Sequence, residues 1–142
     1  MTKLKRQQRI ESDYLELAES VARKYWGVEM TCPIVWVDRE WKRMNASFRY
    51  TNDPEDGIYE IRLNHRVRDR LGDVEYKSIL KHELAHWYLW STGQPNDDDD
   101  PEFIRECIRI GAPISGTEKA QRAYERVLDL ERLQEEAEVI GG

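Results

Sequence analysis

An H-E-x-x-H sequence at residues 82–86 brings together side chains that can do chemistry. It lies in residues 73–91, a run with helical periodicity. Four residues advance a helix by about 400°, so the two imidazoles of His82 and His86 face one point, about one turn apart. That geometry suits two nitrogen ligands of a zinc ion, and Glu83 is placed to take a proton from a water at the metal. The spacing therefore predicts two ligands and a general base.

The alternative is that the two histidines are structural, as in pairs that occur by chance on exposed helix faces. The neighbouring residues favour the metal site because they make the helix apolar on most of its circumference, which predicts burial. Buried histidines and a buried glutamate cost several kcal/mol unless they have partners, and a cation is the simplest partner for all three. The apolar residues are Val74, Tyr76, Ile79, Leu80, Leu84, Ala85, Trp87, Tyr88, Leu89 and Trp90.

The acidic run at residues 97–100 supplies candidates for a third ligand. Asp100 followed by Pro101 is typical of a helix start, with the aspartate as the N-cap. With Asp100 used there, Asp99 is the carboxylate predicted to turn toward the histidines, since a zinc ion held by two histidines requires a third protein ligand. The alternative is a solvated acidic loop. The run lacks the ligand spacing and central glycine of an EF-hand, which argues against a calcium loop.

His65 is the remaining histidine of the chain. It follows a predicted strand and is a second candidate for the third ligand, or for a donor that stabilises the transition state. The alternative is a surface loop histidine beside Arg66 and Arg68. The first interpretation places His65 beside the motif histidines, and the second places it at the protein surface.

Length and composition predict one soluble globular domain. The chain has 142 residues, 39% of them hydrophobic and 35% charged. No apolar run approaches the roughly 18 residues of a membrane span, and the N-terminus leads into no signal-peptide core, so we expect a cytoplasmic protein with no membrane partner. Cys32 and Cys107 are predicted to be reduced, buried thiols.

The charge of the chain is uneven along its length. Residues 1–70 carry 14 basic and 12 acidic side chains, whereas residues 71–142 carry 8 basic and 16 acidic ones. Nucleic-acid-binding surfaces are strongly basic, so a general surface of that kind is not expected.

Hydrophobic periodicity predicts an α+β fold for a single domain spanning residues 1–142, with a core at about residues 10–112. The pattern indicates an N-terminal helix ended by Gly27, three antiparallel strands that include a hairpin, the motif helix and two C-terminal helices. The predicted elements are helices at 10–26, 73–91, 101–110 and about 116–138, and strands at 34–37, 44–50 and 59–63, with a turn-rich loop at 51–57.

In this order, the hairpin strand, the motif helix and the acidic loop resemble the SprT-like family of zinc metallopeptidases, which includes the Spartan-type DNA–protein crosslink proteases. The resemblance covers roughly residues 41–103 and rests on Ile58-Tyr-Glu-Ile-Arg-Leu-Asn64, on Ile79-Leu-Lys-His-Glu-Leu-Ala-His86, and on the spacing from there to Pro101-Glu102-Phe103. It implies a small zincin-like domain that binds Zn²⁺.

The same resemblance implies that His82 and His86 are zinc ligands and that Glu83 is the general base. The family's third ligand is usually the histidine of an H-G-x-x-F sequence, and Asp99 stands in its place here. Aspartate oxygen is a legitimate zinc ligand. The family often carries a cysteine-rich ribbon or a DNA-binding tail, neither of which is found in this sequence, so an association with DNA follows from the resemblance alone.

Together these features predict a zinc metalloendopeptidase that hydrolyses a protein substrate. One alternative is a catalytically weak, metal-stabilised binding module. Another is a regulatory protease with a single target, similar in motif to the ImmA/IrrE group. The sequence leaves the substrate and the oligomeric state open.

Overall fold

The computed structural model describes residues 2–52 and 57–141. Part of the predicted loop at 51–57, residues 53–56, lies outside them. The described residues form an α+β fold, as predicted. In chain order its elements are α1 (Lys3–Val21), which continues as a π-helical turn (Ala22–Trp26), β1 (Ile34–Val37), β2 (Ser47–Tyr50), β3 (Tyr59–Asn64), α2 (His65–Leu71), α3 (Asp73–Ser91), α4 (Pro101–Ile110) and α5 (Glu118–Gly141).

Helix α3 carries the motif and packs against α1, α2, α4, β2 and β3. Its central position confirms the burial predicted from its apolar circumference, although Val74 in its first turn is 88% exposed. The helix ends at Ser91, as predicted, and Gly93 follows it with a φ of 72°, in the left-handed region that glycine adopts without strain. Its buried residues are Tyr76, Leu80, Glu83, Leu84, Ala85, Trp87 and Leu89.

The sheet has three strands in the order β1-β3-β2. The predicted hairpin is confirmed, since β2 pairs with β3 in antiparallel orientation. The prediction that all three strands are antiparallel is wrong, because β1 pairs with β3 in parallel orientation. The chain reverses direction between β1 and β2 and again between β2 and β3, so β1 and β3 run the same way. In the sheet, β3 lies between β1 and β2. Its buried Ile61 and Leu63 explain the central position.

The remaining helices surround this centre. α1 packs on α3, where the Tyr14 ring lies 6.0 Å from that of Tyr76, and its π-helical turn ends at Gly27, as predicted. α4 packs on α3, and α5 packs on α4. Cys32 and Cys107 are free and buried, which agrees with the thiol prediction. No helix in the described ranges is both long and apolar enough to cross a membrane.

His65 begins the short helix α2 and is only 5% exposed. Its ring stacks on Trp36 at a centroid distance of 4.5 Å, and its Nε2 atom lies 3.8 Å from a Glu11 carboxylate oxygen. It is therefore neither the expected surface histidine nor part of the described cluster around His82 and His86. The strand pattern could not predict α2, which starts directly after β3 where Asn64 caps it.

Candidate metal centre

Helix α3 presents the three motif side chains to one side of the fold. The rings of His82 and His86 have centroids 4.9 Å apart, as expected for positions i and i+4. Each Nδ1 atom donates to a backbone carbonyl, from His82 to Pro113 over 2.7 Å and from His86 to Asn96 over 2.5 Å. These hydrogen bonds orient the rings, and both Nε2 atoms face the same carboxylate oxygen, that of Asp98.

Asp98 completes the cluster from the loop between α3 and α4. Its Oδ1 atom lies 3.1 Å from Nε2 of His82 and 2.9 Å from Nε2 of His86. The loop is closed by Asp97 and Asp100, because the Asp100 carboxylate accepts from the Asp97 N–H over 2.8 Å and the Asp97 carbonyl accepts from the Asp100 N–H over 2.9 Å. Residues 98 and 99 form the centre of this tight turn.

The structure corrects the expectation that Asp99 faces the histidines. Asp99 lies 3.3 Å from the ammonium group of Lys119 at the start of α5, on the other side of the turn. The expectation assumed that the Asp100 carboxylate caps α4, but no side-chain capping bond is formed there. Because that carboxylate turns back to the Asp97 N–H, the first central residue of the turn, Asp98, points to the imidazoles.

Phe103 of α4 packs against the rings of both His82 and His86. It stacks on His86 at a centroid distance of 4.0 Å and meets His82 edge to face at 4.9 Å. It is fully buried, so it leaves the rings little room to tilt. The two histidines are thus held by helix geometry, carbonyl acceptors and aromatic packing.

The charges of the site depend on one another. Burial by itself would lower the pKa of His82, but hydrogen bonds that include the one to Asp98 raise that pKa to about 10. The hydrogen bonds that Asp98 accepts from His82 and His86 hold the pKa of its carboxyl well below its usual range. Burial raises the pKa of Glu83, which is 7% exposed, and the nearby imidazoles oppose that rise.

The chemistry of the donor atoms fits a cation. A neutral imidazole that donates from Nδ1 carries a lone pair on Nε2, so once a cation replaces the Nε2 proton, two nitrogen lone pairs and the Asp98 carboxylate would converge on one point. The three groups place their ligand atoms within 4.8 Å of one another. In a tetrahedral zinc site with bonds of about 2.1 Å, the ligand atoms are about 3.4 Å apart. The Asp98 oxygen lies at a similar distance, 3.1 Å and 2.9 Å, from the two imidazole nitrogens, so His82, His86 and Asp98 could hold a zinc ion.

A cleft passes over the cluster on both sides of Glu83. One part, of about 320 Å³, extends along β2 from Ala46 to Tyr50 and reaches Asp98. The other, of about 240 Å³, extends toward the loop at residues 113–116. Since β2 is an outer strand of the sheet, the backbone of one cleft wall can pair with an extended chain.

Sequence reasoning identified the motif side chains and missed their supports. The carbonyl groups of Asn96 and Pro113 have no signal in the sequence, because any residue supplies a carbonyl and only the folded loops place it. Phe103 did have a signal in the sequence, because it is the last residue of the segment that resembles the family. The choice between Asp98 and Asp99 depends on hydrogen bonds within a turn, which composition does not reveal.

Comparison with known proteins agrees with the geometry. The model of the SprT-like family matches residues 14–123, which include the motif and the acidic loop. Among curated proteins, the chain is similar to Protein SprT-like of Bacillus anthracis (strain CDC 684 / NRRL 3495), with 27% identity over 119 residues, covering 80% of this chain and 74% of the relative. Protein SprT-like of Bacillus cereus (strain G9842) is 26% identical over 124 residues, with the same coverage. No solved structure matches the chain at a significant level.

Proposed function

Because the chain belongs to the SprT-like family, we propose that it is a zinc-dependent endopeptidase that hydrolyses a protein substrate. One observation carries the proposal: two imidazole nitrogens and a carboxylate oxygen converge beside the buried Glu83 in an open cleft. Two histidines with only a structural role would not require the Asp98 carboxylate beside both of their Nε2 atoms. We place its action in the cytoplasm, where the two buried thiols would stay reduced.

His82, His86 and Asp98 are the proposed zinc ligands. A bound zinc ion would polarise the scissile carbonyl and lower the pKa of a water molecule in its open position. The carbonyl groups of Asn96 and Pro113 hold the two imidazoles in the tautomer that leaves Nε2 free to bind. The chain thus supplies three ligands and the groups that orient two of them.

Glu83 is the proposed general base. Its carboxylate would accept the proton of the attacking water and then deliver that proton to the leaving amine nitrogen. A backbone hydrogen bond from Phe48 favours the charged carboxylate, whereas burial disfavours it. Burial is the larger effect and raises the pKa of Glu83, which makes its carboxylate a better acceptor for the proton of the attacking water.

An extended peptide is the proposed substrate geometry. The outer edge of β2 forms one wall of the cleft beside Glu83. A substrate strand could pair with this edge through backbone hydrogen bonds, which would place its peptide groups along the cleft. A protein substrate is therefore the proposed partner, and the acidic balance of residues 71–142 gives no support to binding of DNA.

The proposal is tested first by the metal content of the purified protein. We expect about one zinc ion per chain in the wild type, little in His82→Ala and Asp98→Ala, and a wild-type amount in Asp99→Ala, the matched neighbour. Elemental analysis after removal of loosely held ions gives the numbers. A wild type that takes up no zinc after reconstitution would refute the metal site.

Cleavage is tested with Glu83→Gln, which keeps the shape of the side chain. The zinc-loaded variant should retain its metal and lose at least 100-fold in the rate of casein hydrolysis, since general base catalysis contributes about 10²–10⁴-fold. Hydrolysis at the wild-type rate would show that Glu83 is not the base. Zinc bound without any hydrolysis by the wild type would favour the binding-module alternative.

A further inference from the structure

A second cavity, of about 580 Å³, adjoins the proposed catalytic cleft. Tyr50 and Asn96 line both spaces, so the cavity borders the cleft at these two residues. Its volume lies in the range of pockets that bind small ligands or large side chains. Its walls include Tyr50, Tyr59, Trp87 and Trp90, with Gln94 and Asn96 beside them.

The aromatic wall is a packed group of rings. The ring of Trp90 has its centroid 5.1 Å from that of Tyr59 and 5.5 Å from that of Tyr50, and it meets Phe48 at 5.7 Å. Tyr50 and Trp90 remain partly exposed toward the cavity, whereas Trp87 is almost entirely buried. Such a surface offers both ring faces and ring edges to a further aromatic group.

The position of the cavity relative to β2 sets which part of a bound peptide reaches it. Within the cleft, the Phe48 backbone hydrogen-bonds to the Glu83 carboxylate. Tyr50 follows Phe48 by two residues, which corresponds to about 7 Å along a strand, and it lines both the cleft and the cavity. A strand paired with β2 and crossing Glu83 therefore passes the cavity about two residues from the bond that would be cleaved.

We propose that this cavity is a specificity subsite that binds an aromatic side chain of the peptide substrate, about two residues from the scissile bond. The inference rests on the proposed function, because it is the cleft that brings a peptide to the cavity. Because the cavity borders the cleft at Tyr50 and Asn96, a peptide that lies over Glu83 can place one of its side chains there. The polar groups of Gln94 and Asn96 would suit a tyrosine hydroxyl or an indole N–H.

The test measures binding separately from hydrolysis, using the zinc-loaded full chain with Glu83→Gln. The probes are fluorescein-labelled ten-residue peptides of serine and alanine that carry one phenylalanine at successive positions, with an all-serine–alanine peptide for comparison. Fluorescence polarisation should show about tenfold tighter binding for the best phenylalanine position, as burial of one aromatic ring predicts.

Two further substitutions locate the effect. Ser91 and Gln94 line the cavity and are exposed, so Ser91→Trp or Gln94→Trp would fill it without disturbing the core. Each should abolish the tenfold preference, while Ser20→Trp on the exposed side of α1 keeps it. Two filling variants are used so that a fault in the folding of one, seen by circular dichroism, does not decide the result.

The outcomes separate this inference from the proposed function. Equal affinity for all peptides, including no measurable binding of any, overturns the subsite. A thymidine oligonucleotide that competes with the phenylalanine peptide also overturns it, since the cavity would then accept bases. A preference for phenylalanine that is lost in the filling variants supports the subsite even where the wild type hydrolyses no peptide, and in that case the peptidase proposal alone fails.

Discussion

Asp98 and Asp99 are adjacent in the chain but contact different parts of the molecule. Asp98 lies against two imidazoles, and Asp99 lies against Lys119. Their positions depend on Asp100, whose carboxylate closes the turn, while Asp97 contributes only its backbone N–H and carbonyl to that closure. At the scale of the residue, the identity of a proposed ligand is thus decided by a hydrogen bond that the ligand itself does not make.

Replacement of Asp100 tests this dependence. We expect Asp100→Ala to weaken zinc binding about tenfold, because the turn that directs Asp98 loses its closing bond. Asp97→Ala should bind zinc as the wild type does, since the closing bonds use its backbone. Asp100→Asn should restore most of the affinity through its amide oxygen. Competition with a chromogenic zinc chelator measures all four proteins, and equal affinities for Asp100→Ala and Asp97→Ala would contradict the expectation.

At the scale of elements, a polar group joins three helices at the start of α3. The Asp73 carboxylate accepts from the Tyr14 hydroxyl of α1 over 2.7 Å and from the Arg68 guanidinium of α2 over 3.0 Å. Asp73 is the first residue of α3, and the residue at the cap position is Gly72. The Asp73 carboxylate fixes the two neighbouring helices against the motif helix.

This junction should make stability depend on pH. The Arg68 hydrogen bond lowers the pKa of Asp73 despite the opposing effect of burial, so the stabilisation is complete above the ordinary pKa of about 3.9 and is lost as pH falls through the lower folded-state value. Asp73→Asn should lower the free energy of unfolding at pH 7 by about 1 kcal/mol, since the group is half exposed.

Urea unfolding at pH 7 and at pH 3 measures this effect. The difference between the wild type and Asp73→Asn should shrink at the lower pH. Asp69→Asn is the control, because Asp69 is about as exposed as Asp73 and also pairs with Arg68, but it accepts no hydrogen bond from the buried Tyr14 hydroxyl and should contribute less. A difference for Asp73→Asn that is the same at both pH values would show that the carboxylate charge is not responsible.

At the scale of the whole molecule, α5 is attached by its first half. Ala120, Ala123 and Val127 are buried, and the last two pack with Ile104 of α4. Leu130 and Leu133, further along the helix, are each more than half exposed. The packed unit of the described chain therefore ends near the middle of this helix.

Truncation tests that boundary. Deletion of residues 130–142 should change the melting temperature by less than about 3 °C, because few buried contacts are removed. Val127→Asp should lower it by more than about 6 °C, since it places a charge in an apolar contact. Differential scanning calorimetry compares the two proteins with the wild type. A large loss on truncation would mean that the distal half of α5 packs against something else, such as a second copy of the chain.

The sequence was sufficient for the order of the helices and strands, because hydrophobic periodicity and helix-ending glycines are local signals. It was also sufficient to place the His82 and His86 side chains on one side of a helix, because their four-residue spacing is a local signal as well. It failed for the direction of β1, since a strand pattern carries no information on its partner, and for α2, which follows β3 without a break. The acidic loop was located correctly, but the residue that faces the histidines was not.

The loop at residues 92–100 has a consequence for redesign of this fold. Within nine residues it ends α3 at Gly93, supplies the Asn96 carbonyl to His86, and directs Asp98 to both imidazoles. Its spacing is therefore fixed at both ends, by the helix that precedes it and by the turn that starts α4. A single residue inserted between Gly93 and Asp97 would change the register, whereas exposed side chains in the loop can be exchanged.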